Sequence, residues 1–367
     1  MPTISDICSF LDQLAPRSLA AEWDNVGLLL GDGGVVVDRI LTCLTLTPVV
    51  VAEAIEERAN LIVTHHPILF RGAKPLSTET AEGRLLWPLA RAGVAVYSPH
   101  TAFDNTVGGI NDSIARRLSL ADVIPLRARD GARQYKVVVF VPDSDLGKVS
   151  DAMFAADAGV IGQYEQCSFR IAGTGTFFGT ESTNPTVGAR GRREDVSEWR
   201  LEVICPEANL GGVVAAMRAA HSYEEPAFDV YPLKALPGGS GDGRVGNLPA
   251  AVTLAALAQT IKSELRASGV QVIGDVNRPV RRVAIACGAA GEFLTDAVRA
   301  KADIFLTGEM RFHDYLRAET DGIALILPGH YATERPGVQE LAIRLQQAFP
   351  ALTTWASRRE TDPVHLV

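Results

Sequence analysis

Two twelve-residue stretches of this chain, 53–64 and 296–307, align without a gap and in the same apolar register. Each reads as a helix end running into a short strand, Leu61-Ile62-Val63-Thr64 in one and Ile304-Phe305-Leu306-Thr307 in the other. A run this short and continuously apolar suits a strand covered on both faces. The neighbouring segments extend the pattern. A strand over 39–44, a helix over 48–59 and the strand over 61–64 make a β-α-β unit, which implies parallel strands and a right-handed crossover. A helix over 82–92 and a strand over 94–97 continue it. Strands over 282–287, 303–307 and 323–327, with a helix over 293–301, repeat it near the C-terminus. The spacing predicts an α/β fold with a duplicated three-layer core. Its two half-domains are expected to share one sheet and to point like strand ends at one crevice, where doubly wound sheets bind ligands.

The middle of the chain has another rhythm. Strand-like runs at 135–141, 165–171, 199–204 and 227–231 alternate with helical patterns at 146–156 and 210–220. The order β-α-β-β-α-β predicts an antiparallel, ferredoxin-like α+β domain. The segments 127–133 and 237–243, polar and glycine-rich, read as flexible connectors. The expected organisation is a split core over 1–127 and 240–367, interrupted by an inserted domain over 128–239.

With 367 residues the chain is long enough for these two domains. The net charge of −8 argues against nucleic acid as a partner, because an acidic surface repels phosphate backbones. Five cysteines, none in a Cys-x-x-Cys pair, argue against a disulfide framework and a thiolate zinc site. No basic segment followed by an apolar core opens the chain, and no apolar run approaches the ~18 residues of a membrane span. The expected location is the cytoplasm.

Of the seven histidines, His65, His66, His100, His313 and His330 fall just after predicted core strands. His65 and His66 are adjacent. His100 and Asp104 share one strand-to-loop transition. His330 and Glu334 are four apart and share a face if a helix starts there. Glu309 and His313 have the same spacing reversed. Each histidine alone reads as a satisfied structural residue, but five converging at strand ends favour a metal site. Imidazole and carboxylate donors without thiolate suit Zn, Fe, Mn, Ni or Co, and so many donors suggest two ions with a bridging carboxylate. His221 and Glu225, in the predicted insertion, read as a structural or contact loop.

At residues 23–28, 62–70, 100–111, 307–314 and 329–334 the chain resembles the GTP cyclohydrolase 1 type 2 homologues, the NIF-three-like dinuclear-metal proteins. The resemblance implies His65, His66, Asp104, His330 and Glu334 as metal ligands for two divalent ions. It also implies a ring-shaped homohexamer with the sites facing an internal cavity. Residues 158–169 and 221–229 are similar to the PII- or CutA-like insertion of the long-form members. One departure stands out: many members carry Asp-x-Thr where this chain has Thr45-Leu46-Thr47.

The expected function is a metal-dependent hydrolase acting on a small molecule, a purine nucleotide if the family name is followed. Glu309 or His313 would move protons, and His100 would orient a ligand. The competing expectation is a non-enzymatic metal-binding or metal-delivery assembly, with the insertion as a regulatory lid.

Overall fold

The structure, a computed structural model, describes residues 1–70, 76–130, 133–234 and 237–366. The chain divides into two compact units, Met1–Arg129 with Gly238–Val367, and Asp130–Pro237.

The first unit is α/β but has two main sheets where the sequence suggested one shared sheet. One sheet has the order Gly27–Leu30, Ala95–Ser98, Leu61–Thr64, Arg39–Cys43, Thr353–Ala356. Its last four strands are parallel, and Gly27–Leu30 closes the edge antiparallel. The other runs Gln271–Ile273, Ala324–Leu327, Ile304–Leu306, Pro279–Ile285, Arg244–Thr253, Ala121–Ile124, with a parallel central triad. The matching stretches thus form equivalent inner strands of separate sheets. Each half also lends a strand to the other: Thr353–Ala356 completes the N-terminal sheet and Ala121–Ile124 the C-terminal one. Each of the two is an edge strand of the sheet it joins. Apolar period reports which faces are buried and says nothing about which edges pair.

Burial on both faces explains the layering. Leu61 and Val63 enter one core cluster and Ile62 another; Ile304 and Leu306 enter the first and Phe305 a third. The shared cluster draws from both sheets and from the helices Ile4–Leu14, Ile110–Arg117, Leu254–Glu264 and His330–Ala348. One helical layer therefore covers an inner face of each sheet, and the parallel strands of both end near it.

The second unit has four antiparallel strands in the order Phe228–Leu233, Gln134–Pro142, Arg193–Pro206, Ser168–Phe178. Val137, Val139, Val141, Leu201 and Val203 pack on Val149 and Met153 of helix Leu146–Ala155 and on Val213 and Met217 of helix Leu210–Ala220. The joints are more ordered than connectors: Arg127–Asp130 and Pro237–Asp242 pair as a two-stranded sheet, and Arg129 Nε donates to Asp242 at 2.9 Å. Backbone pairing needs no side chain, so a glycine-rich composition conceals it. Residues 131–132 and 235–236 of these joints lie outside the described residues. Among the described residues no helix is long and apolar enough to cross a membrane.

One buried ion pair fastens the halves beside the strand ends. Arg244 is 1% exposed; its Nε meets Asp112 at 2.5 Å, and its other nitrogens donate to the carbonyls of Thr106, Gly241 and Gly243. Removing one partner of a buried pair strands the other. Arg244→Ala is therefore expected to lower unfolding stability by about 3 kcal/mol, read as a lower urea midpoint at unchanged slope.

Candidate metal centre

The strand Leu61–Thr64 is buried at all four positions, and its parallel pairing continues past its end. His65 N donates to Cys43 O at 2.9 Å and His66 N to Leu44 O at 2.8 Å. The adjacent histidines are thereby fixed with ring centroids 5.4 Å apart. The neighbouring strand Ala95–Ser98 leads into the short helix His100–Asn105, which supplies His100 and Asp104. His100 takes φ +31°, a backbone value L-residues rarely adopt and one that collects at functional sites. From the other sheet, Ala324–Leu327 leads through Gly329 into the helix His330–Ala348. That helix begins at His330, so His330 and Glu334 share a face, with His330 Nε2 3.0 Å from Glu334 Oε2.

These groups meet. Glu334 Oε2 also lies 2.9 Å from His66 Nε2 and 3.8 Å from His65 Nε2, and Asp104 Oδ1 lies 3.6 Å from His65 Nε2. The ligating atoms of His65, His66 and His100 fall within 4.8 Å of one another, as do those of His66, His330 and Glu334. All five ligands expected from the sequence, with His100, therefore converge at the ends of parallel strands from both sheets. Glu309 sits at the rim, 60% exposed, with Oε1 accepting from His330 Nδ1 at 3.0 Å. His313 stands apart, exposed on the helix Phe312–Thr320. His221 has both nitrogens engaged, on Phe140 O and Tyr223 N, as a loop-holding residue would.

Three of the histidines follow one scheme. His330 gives Nδ1 to Glu309, His100 gives Nδ1 to Asp24 Oδ1 at 2.8 Å, and His66 Nδ1 lies 2.7 Å from Thr45 Oγ1. An outward partner on Nδ1 sets the tautomer and leaves Nε2 as the donor of a metal-ligating histidine. Asp24, whose side chain is fully buried, also accepts from Thr101 N and Oγ1. Asp24 had no periodic signal in the sequence; only its place in the Trp23-Asp24-Asn25 turn marks it. At Thr45 a hydroxyl does the holding. Cys287, equally unforeseen, donates its thiol to Asp104 Oδ1 at 3.2 Å.

The residues fit a cation. Both nitrogens of His65 are buried without a hydrogen-bond partner, which costs about 1–3 kcal/mol each unless another group engages them. Gly288 leaves room: a Cβ there would come 2.3 Å from Glu334 Oε1 and 3.3 Å from His330 Nε2. Electrostatics agree. Burial and the charge of Glu334 push the Asp104 carboxyl up to about 7. Burial opposes ionisation of Glu334, yet His65, His330 and His66 hold it well below the usual carboxylate range. Burial pulls His65 below the ordinary imidazole range, against the opposing charge of Glu334. His330 rises to about 9 against its own burial, held by Glu334 and Glu309.

A cation must displace the proton of His330, and that of Asp104 where present. Uptake of Zn²⁺ is therefore expected to release protons, and affinity to climb as pH rises through about 7 toward about 9. Calorimetry in buffers of different ionisation enthalpy measures this, and net proton uptake would contradict it. Asp24→Ala, which frees His100 Nδ1, is expected to weaken Zn²⁺ binding by about tenfold in the same titration.

The model of the Duf34/NIF3 (NGG1p interacting factor 3) family matches residues 2–363. A Halalkalibacterium halodurans protein named GTP cyclohydrolase 1 type 2 homolog is 38% identical over 360 residues, 97% of each chain. A Mycobacterium tuberculosis protein of the same name is 38% identical over 356 residues, 95% of this chain and 92% of that one. The crystal structure of a Bacillus cereus protein related to NIF3 superposes with TM-score 0.83 at 35% identity, covering 100% of this chain and 99% of that one. The chain belongs to the Duf34/NIF3 family.

Proposed function

We propose that the protein binds two divalent cations through His65, His66, Asp104, His330 and Glu334 and hydrolyses a small molecule, a nucleotide by the reading of its relatives' names. The observation that carries this is Glu334 Oε2 facing three imidazole Nε2 atoms, beside a His65 with no other partner. Paired divalent ions supply a nucleophilic hydroxide at neutral pH and electrophilic activation of the substrate. His and carboxylate donors accept Zn, Fe, Mn, Ni or Co, and availability decides among them.

The chain's own groups supply the rest. A cavity of about 430 Å³ opens against His66, Glu309 and His330, walled by Thr45, Tyr315 and Tyr331, and lies in the size range of ligand sites. Glu309, half in solvent and bonded to His330 Nδ1, is placed to take a proton from the reacting centre and pass it outward. His313, exposed on the helix Phe312–Thr320, has no part in this scheme. His100, its Nδ1 held by Asp24, would orient a ligand. A guanine nucleotide would be attacked at the imidazole carbon of its base. The homohexamer implied by family resemblance and the cytoplasmic location expected from the sequence belong to the same proposal.

Protein purified without chelator is expected to carry about two ions per chain and, so loaded, to turn over GTP or a related nucleotide. His65→Ala is expected to lose both metal and turnover. Full metal uptake with no turnover across a nucleotide and phosphoester panel assigns the protein to metal binding or delivery instead.

A further inference from the structure

We propose that Glu360, far from any ligand in sequence, is a positioning residue that locks the His66 half of the metal centre to the His330–Glu334 half. Its carboxylate is almost fully buried, 3% exposed. Oε2 accepts from Leu44 N at 3.0 Å and Oε1 from Thr45 N at 2.7 Å. Those two residues form the turn after the strand Arg39–Cys43, and both hold His66: Leu44 O takes its backbone N–H at 2.8 Å, and Thr45 Oγ1 faces its Nδ1 at 2.7 Å. The other contact of Glu360 runs to the opposite half. Arg335 Nε lies 3.2 Å from Glu360 Oε2, and Arg335 immediately follows Glu334 on its helix. Tyr331, next to His330, donates its hydroxyl to Glu360 O at 3.2 Å.

The tail bearing Glu360 is itself fixed. Glu53, 2% exposed, accepts from Trp355 Nε1, Ser357 Oγ, Arg358 N and Arg359 N. Arg335 Nη2 donates to Ser357 O at 2.7 Å. One buried carboxylate therefore joins a turn from the first half to a helix from the second. The inner imidazole and the inner carboxylate, 2.9 Å apart, keep their spacing because of it. Thr45 is the last link. As a neutral hydroxyl it can orient His66 but cannot hold it by charge, so the turn that carries it must be held rigidly. An aspartate at the same position would depend less on such support. Asp362, Pro363, Val364 and Leu366, directly beyond Glu360, wall the cavity beside His66, so the same tail shapes access.

The inference rests on the metal reading above, and its test separates the two. The full chain and its variants Thr45→Val, Glu360→Ala and the double variant are titrated with Co²⁺. Affinity, the visible absorption band and thermal midpoint are read together. Thr45→Val is expected to weaken Co²⁺ binding by about tenfold and alter the band with little change in midpoint. Glu360→Ala is expected to weaken binding by about 10-fold to 100-fold. The double variant is expected to be no worse than Glu360→Ala alone, because the two act through one contact. A folded Glu360→Ala with lower midpoint but unchanged affinity and band overturns the proposal, as does a Thr45→Val identical to wild type. Should Glu360→Ala not fold, Glu360→Gln replaces it with the same expected direction, and wild-type binding by it is equally fatal. Wild-type protein that takes up no Co²⁺ overturns the metal reading and this inference with it.

Discussion

A single carboxylate oxygen, Glu334 Oε2, gathers His65, His66 and His330 from two sheets around itself. Burying an ionised carboxylate is costly unless charge or hydrogen bonds compensate it. Imidazoles provide that compensation, and their own placement then constrains both strand ends and the start of the long helix. The site is therefore a structural knot as well as a chemical one. Its parts arrive from positions 65 to 334, and much of the first unit's connectivity, including the exchanged edge strands, serves to bring them together.

Around this knot lies a second layer of oxygen partners. Asp24, Thr45 and Glu309 each engage an Nδ1 and leave Nε2 inward, whereas His65 has no such partner. The layer is mixed in charge: two carboxylates and one hydroxyl. A carboxylate partner raises the basicity of the imidazole it holds, and a hydroxyl does so less. The imidazoles are thus inequivalent, with those of His100 and His330 the more electron-rich. Asp104, backed by the Cys287 thiol, is tuned by a weak donor in place of a charged one.

Much of this was legible in the residues themselves. The strands at 61–64 and 304–306, the adjacent histidines after the first of them and the His330/Glu334 pairing follow from apolar period and spacing, because both are local. The partition into two sheets was not legible, since edge pairing leaves no trace in a strand's alternation. Neither was Asp24 or Cys287: one sits in a turn and the other at a strand end, and nothing within a few residues of either announces a contact with position 100 or 104. His313 shows the converse error. Its spacing from Glu309 resembled that of a ligand pair, but the helix carrying it presents it to solvent.

Sequence alone determined which elements form and which residue types are offered at their ends, because helix and strand periods, caps and short-range spacing act over a few residues. Only the tertiary structure decided which of those offers meet. The meeting of Glu334 with His65 and His66, the support of Thr45 by Glu360 and the exchange of edge strands are contacts between segments more than a hundred residues apart. Such contacts are set by how whole buried faces pack together, and no local pattern records that.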